Sequence, residues 1–188
     1  MPRKLTLLGM DPSFRNWGLA LGELDLDTGA VRILELETIQ TEKSKDKQVR
    51  TNSSDILACQ DLAEAVFSWA SKAQVVFVEV PVGSQSASGM KSYGVCVGLL
   101  GALQAAGYSL IQLTADSLKK QLTGTRTASK EEMMAAALAL HPDLPVKRLK
   151  GVVVKKVFEH QADAIAAIHT GVRSDEFQKL LLLTRNTQ

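Results

Sequence analysis

Cysteine is scarce in this 188-residue chain. Only Cys59 and Cys96 are present, and no CxxC spacing occurs. That excludes a disulfide framework and a cysteine-built zinc site. Both lie in segments with helical patterning, so the ordinary reading is two buried free thiols in a reducing compartment. Long hydrophobic runs are missing too: the longest fall far short of the ~18 residues that a membrane span needs. No N-terminal signal pattern, internal repeat or domain linker is visible. The expectation is one domain over residues 1–188, intracellular (cytoplasmic), without membrane association. With 45% hydrophobic and 22% charged residues it can bury a core unaided.

A strong net charge is also absent, since the whole chain carries only +2. The charge is unevenly spread, however. From Ser117 to Lys156 nine cations (Lys119, Lys120, Arg126, Lys130, Lys147, Arg148, Lys150, Lys155, Lys156) face three acids, leaving +6 there and −4 elsewhere. A basic block on a mildly acidic body suits a phosphate-binding face; the alternative is an ordinary solvated surface.

What is there reads as alternating elements. Leu5 to Met10 is a continuous apolar run ending in Asp11-Pro12, a buried-strand pattern. Trp17 to Glu23 reads as a second strand and the alternating stretch Val31 to Ile39 as a third, joined through the turn signal Asp27-Thr28-Gly29. Thr41 to Ser54 is polar and reads as a loop, with Ser53 or Ser54 capping a helix over Asp55 to Ser71. Gln74 to Val80 is an apolar strand interrupted by Glu79. A helix follows over Ser86 to Gly107, then a strand over Tyr108 to Leu113. Thr114 caps a short helix to about Leu122. Ser129 and Glu132 form a capping box for the next helix, which stops at His141-Pro142. Pro145 to Lys156 reads as a basic loop or short extension, Phe158 to Val172 as the last major helix, and the tail as frayed. The result is an α/β fold: a five-stranded mixed sheet, an antiparallel meander of strands 1–3 plus parallel strands, with helices on both faces.

Three acids sit where acids are costly: Asp11 at the end of the first apolar strand, Glu79 inside QVVFVEV, and Asp163 in the Ala/Ile-rich HQADAIAAIH. A carboxylate in such a setting must be paired, hydrogen-bonded or metal-bound. If the first and fourth strands are neighbours, Asp11 and Glu79 lie side by side, and the last helix can bring Asp163 to them. Mg²⁺ or Mn²⁺ is the natural counter-charge for an all-oxygen cluster. His160, three residues before Asp163, shares its helix face as a fourth ligand or proton carrier, with Glu159 as an alternative. His141 reads as structural and His169 as a helix-surface residue.

Four blocks in order resemble the RuvC-type Holliday junction resolvases: GMDPSFRNWGLAL, FVEVPVGSQSASGMKSYGVCVGLLGAL with its Lys91 to Gly94 step, QLTADSLKKQLTGTRTASKEEMMAAAL, and HQADAIAAIHTG. The resemblance implies an RNase H-like fold, a homodimer, and two-metal hydrolysis that nicks a four-way DNA junction to leave 5′-phosphates. By position it implies that Asp11, Glu79, His160 and Asp163 are catalytic and hold two Mg²⁺ (or Mn²⁺) ions, and that Lys119 and Lys130 are basic positions near the DNA. Lys120 and Arg126 join them as candidate phosphate contacts. The chain departs from the family at Ser13, where glycine is common, at His160, where many members have aspartate, and at Val82, where some carry an aromatic. A relative of phage type is consistent with this pattern.

Small residues at Gly94, Gly98 and Gly101 mark either the dimer face or close helix-on-sheet packing. The competing functions are a non-cleaving branched-DNA-binding protein and a related nuclease for forks, flaps or RNA hybrids. A fragment of a sugar or acetate kinase needs a second Asp-x-Gly phosphate loop, which the chain lacks, so no nucleotide cofactor is expected.

Overall fold

Strand β1 (Lys4–Asp11) is buried along its middle on both faces, as a continuous apolar run requires of a central strand. In the computed structural model, which describes residues 3–42, 48 and 50–185, it lies at the centre of a five-stranded sheet. It pairs antiparallel with β2 (Asn16–Asp25), which pairs antiparallel with β3 (Val31–Gln40). On its other side β1 runs parallel to β4 (Val75–Glu79), which runs parallel to β5 (Leu110–Leu113). The order is β3-β2-β1-β4-β5. Edge strand β3 alternates exposed and half-buried positions, which gives it the cleanest period-2 sequence.

Two apolar cores, one per face, hold the helices. On one face α1 (Thr51–Ala70) and α2 (Ala87–Ala105) bury Leu62, Val66, Trp69, Cys96 and Leu103 against Leu8, Met10, Trp17 and Val78. On the other, α3 (Ala115–Thr123), α4 (Lys130–Leu140) and α5 (Lys155–Gly171) bury Leu118, Met133, Phe158, Ile165 and Ile168 against Leu7, Ala20 and Phe77. The expected mixed sheet with helices on both faces is the observed one. Thr114 caps α3, Ser129 and Glu132 form the capping box of α4, and Ser86 caps α2.

Several boundaries differ from the sequence reading. Helix α1 starts at Thr51, so Ser53 and Ser54 lie in its first turn and Arg50 occupies the cap position without a side-chain cap bond. Of the expected polar loop, residues 43–47 and 49 lie outside the described residues. The basic stretch after α4 is no plain loop: it folds as a hairpin of β6 (Arg148–Leu149) and β7 (Val152–Val153). The expected frayed tail is a helix, α6 (Asp175–Arg185), anchored by Phe177 packing edge-on to Phe77. Cys96 is buried as expected, but Cys59 is only half-buried. No helix among the described residues is long and apolar enough to cross a membrane.

Candidate active site

The site is assembled at the carboxyl ends of the two central parallel strands. Met10 pairs in register with Val78, so Asp11 and Glu79 project from adjacent strand ends. Strand spacing of about 4.8 Å thereby fixes their backbones as neighbours. The third element is α5, packed across β1 and β2. Gly9 and Gly18 allow that approach: a Cβ at Gly9 would collide with the carbonyl of Ala164, and one at Gly18 with the carbonyl of His160. Gly18 also faces Asp11 across the β1–β2 ladder. Two missing side chains therefore let α5 settle low enough for His160 and Asp163 to reach the strand ends.

The electrostatics follow from this placement. Burial first, then the charges of Asp11 and Asp163, push the Glu79 carboxyl up to about 8, with Lys119 pulling the other way. Asp163 rises to about 7, through burial and then Asp11, while His160, Lys130 and Lys119 oppose the rise. All three carboxylates thus lie within each other's field in a poorly solvated place. His160 Nδ1 is 2.7 Å from Asp11 Oδ2, and Nε2 is 3.4 Å from Glu159 Oε1. Burial lowers the affinity of this imidazole for protons, but the hydrogen bond and charge of Asp11, with the charge of Glu159, outweigh it and raise its pKa.

Among the described residues, no three His, Cys, Asp or Glu side chains already form a metal-binding group; Asp11 is engaged by His160 instead. The donor chemistry still suits a hard divalent cation. The set is oxygen-rich, and the burial and mutual charge that raise Glu79 and Asp163 are what such a cation would offset. Glu159, the alternative ligand, is bound to Lys130 at 3.1 Å, which makes it a bridge between α4 and α5.

The expected basic residues divide in two. Lys119, half-buried, and Lys130, exposed, both lie close enough to bias Asp163. Lys120 and Arg126 are exposed farther along the same basic segment. Sequence reasoning missed a neighbouring ion cluster: Asp55 on α1 holds Lys91 at 2.7 Å and Arg15 at 3.3 Å, and both cations lie over the Phe14 ring. This cluster fixes the loop that follows Asp11. The isolated glycines 9 and 18 inside apolar strands were the available signal for the close approach of α5.

Two histidine readings also change. His169 is no surface residue. It is 6% exposed and shares a 2.7 Å hydrogen bond between Nε2 atoms with His141. Burial, then the charges of His141 and Arg173, press its pKa down to about 4. Gly94, Gly98 and Gly101 have open space where a Cβ would stand, so tight helix-on-sheet packing does not explain them.

No family model and no curated protein sequence matches the chain. Solved structures do: the sheet order, the crossing of α5 and the placement of the helices are those of the RuvC-type, RNase H-like fold. Thermus thermophilus RuvC in complex with Holliday junction substrate matches with a TM-score of 0.61 at 21% identity, over 88% of this chain and 92% of that one. A second Thermus thermophilus RuvC structure matches with a TM-score of 0.59 at 20% identity, over the same shares. The Fowlpox virus resolvase in complex with substrate Holliday junction DNA matches with a TM-score of 0.50 at 11% identity, over 90% of this chain and all of that one. At these identities the likeness establishes the fold.

Proposed function

We propose that this chain is a divalent-metal-dependent DNA endonuclease that resolves four-way (Holliday) or related branched junctions. The observation that carries the proposal is that Asp11, Glu79 and Asp163, half-buried and from three separate elements, lie within range of one another's charge. Two structures of the same fold were solved with Holliday junction DNA, which points to the substrate class.

Asp11, Glu79, His160 and Asp163 would hold Mg²⁺ or Mn²⁺, which when bound supplies an activated water and charge stabilisation for the leaving 3′-oxygen, giving 5′-phosphate nicks. The chain's own contribution is position. The parallel ladder sets Asp11 beside Glu79, and α5 sets His160 and Asp163 against them. His160 keeps Asp11 oriented through its Nδ1 contact, and Lys130 holds Glu159 aside. Lys119, Lys120, Arg126 and Lys130 would bind phosphates, supplying affinity without base identity. A homodimer through the open α2 face would place two sites on one junction.

Cleavage of end-labelled four-way junctions with and without Mg²⁺ tests this reading. Wild type should nick only with the metal, and Asp11→Asn should bind without nicking. Metal-dependent nicking by Asp11→Asn at the wild-type rate would remove the assignment. Should the Asp11–His160 pair persist in saturating Mg²⁺, with junctions bound and never cut, a non-cleaving junction-binding protein would be the correct reading. Forks, flaps and RNA hybrids in the same assay define the substrate range.

A further inference from the structure

The β6–β7 hairpin has three features that its role as a connection does not require. Leu149 and Val152 pair directly across it and are 70% and 68% exposed, a two-residue apolar tip. Lys147, Arg148, Lys150, Lys155 and Lys156 flank it along the chain, all exposed, and no acid occurs from Leu144 to Phe158, while Glu131 of α4 lines the groove shared by Arg148, Val152 and Lys155. The turn itself is strained. Lys150 has φ 50 and Gly151 φ 83, so both central residues of the two-residue turn are left-handed, and Lys150 is the only non-glycine residue among those described with positive φ. Such turns prefer asparagine or glycine at that position.

The hairpin is firmly mounted. Val153 packs on the core shared by α4 and α5, the Val154 amide donates to the Lys147 carbonyl at 3.0 Å, and Arg148 donates to the Gly151 carbonyl at 3.4 Å. It leads straight into α5, and Lys155 precedes His160 by five residues, about 7.5 Å of helix axis. An exposed apolar pair flanked by cations, on the hairpin that leads into the helix carrying His160 and Asp163, matches what a nucleic acid offers at a branch. Phosphates lie outside and apolar base faces are uncovered where stacking is interrupted.

We infer that this hairpin is a DNA-engaging wedge: Leu149 and Val152 press against base faces at the branch point, while Lys147, Arg148 and Lys150 hold the flanking phosphates. The inference rests on the DNA-cleaving reading of the carboxylate site and adds to it the means by which the branch is opened.

The test uses the full chain and a four-way junction carrying 2-aminopurine either at the branch point or inside one arm, in Ca²⁺ so that the strands stay intact. Wild type should raise fluorescence at the branch position only. The Leu149→Ser/Val152→Ser variant alters only exposed side chains; it should lose most of that rise while its affinity falls less than about tenfold. Lys147→Ala/Arg148→Ala/Lys150→Ala should bind more weakly and lower the salt-dependence slope by about one for each phosphate no longer neutralised. Wild-type fluorescence and Mg²⁺ cleavage in the serine variant would overturn the wedge and leave the nuclease standing. Unchanged DNA binding with altered sedimentation would also overturn it, by assigning the tip to an interface between copies. A wild-type chain that binds no junction removes both.

Discussion

His160 and Asp11, 149 residues apart in the chain, are joined at 2.7 Å between Nδ1 and Oδ2. The contact ties the first turns of α5 to the end of β1 and leaves the imidazole more basic than usual. An imidazole that serves the site as ligand or orienting group should tolerate an acid better than a methyl group. His160→Asp is expected to keep cleavage within about tenfold of wild type, and His160→Ala to lose about 10- to 100-fold. Single-turnover rates across a Mg²⁺ titration check this, and equal rates for the two variants would show that the side chain takes no part.

Glu79 and Asp163 set a pH dependence of stability that a bound divalent cation would oppose. Their folded-state pKa values, about 8 and about 7, lie above the unfolded ones. The folded chain therefore binds more protons than the unfolded chain between about pH 4 and pH 8. The stability they contribute is full below that window and lost as pH rises through it. In EDTA the melting temperature should fall from pH 5 to pH 9. Mg²⁺ or Mn²⁺ should restore several degrees at the alkaline end and little at pH 5, where protons compete. Calorimetry with and without metal reads both, and a metal effect independent of pH would contradict the cluster.

His169 should behave oppositely, in a different window. Its folded pKa of about 4 lies below the unfolded value of 6.5, so the unfolded chain takes up the proton first. Stability is full above about pH 6.5 and lost as pH falls toward 4, by an upper bound of about 3 kcal/mol. Urea midpoints at pH 5 and 7 for wild type and His169→Gln measure it, and the variant should show the smaller difference.

The glycines give a contrast between packing and open surface. Gly18→Ala has no room against the His160 carbonyl and should cost several kcal/mol, or shift α5 and abolish cleavage. Gly98→Ala meets nothing and should stabilise the monomer by about 1 kcal/mol through helix propensity. If the α2 face joins two copies, the same alanine should weaken self-association, which analytical ultracentrifugation detects.

Much of the fold was legible because its strongest signals are local. The apolar run ending in Asp11, the interruption at Glu79, the alternation of β3 and the Ser129–Glu132 capping box each state their structure within ten residues. The acid cluster was legible because a carboxylate inside an apolar stretch needs an external reason. What escaped depends on partners far along the chain. The burial of His169 is set by His141, and the pairing of Arg15 and Lys91 by Asp55. Helix α6 is anchored through Phe177 against Phe77. The β6–β7 hairpin was hidden because its two-residue strands are too short for periodicity, and Lys-Gly is an uncommon pair for its turn.

The β1–β4 ladder has a consequence for how such a chain can vary. Because main-chain hydrogen bonds between adjacent strands hold positions 11 and 79 together, the length of the excursion between them is irrelevant to their separation. Residues can be gained or shed in the segment linking β3 to α1 and the distance between the two acids stays as it is. The spacing of the two acids is therefore insulated from drift in the linking segment, which can change length while the carboxylate pair is inherited intact.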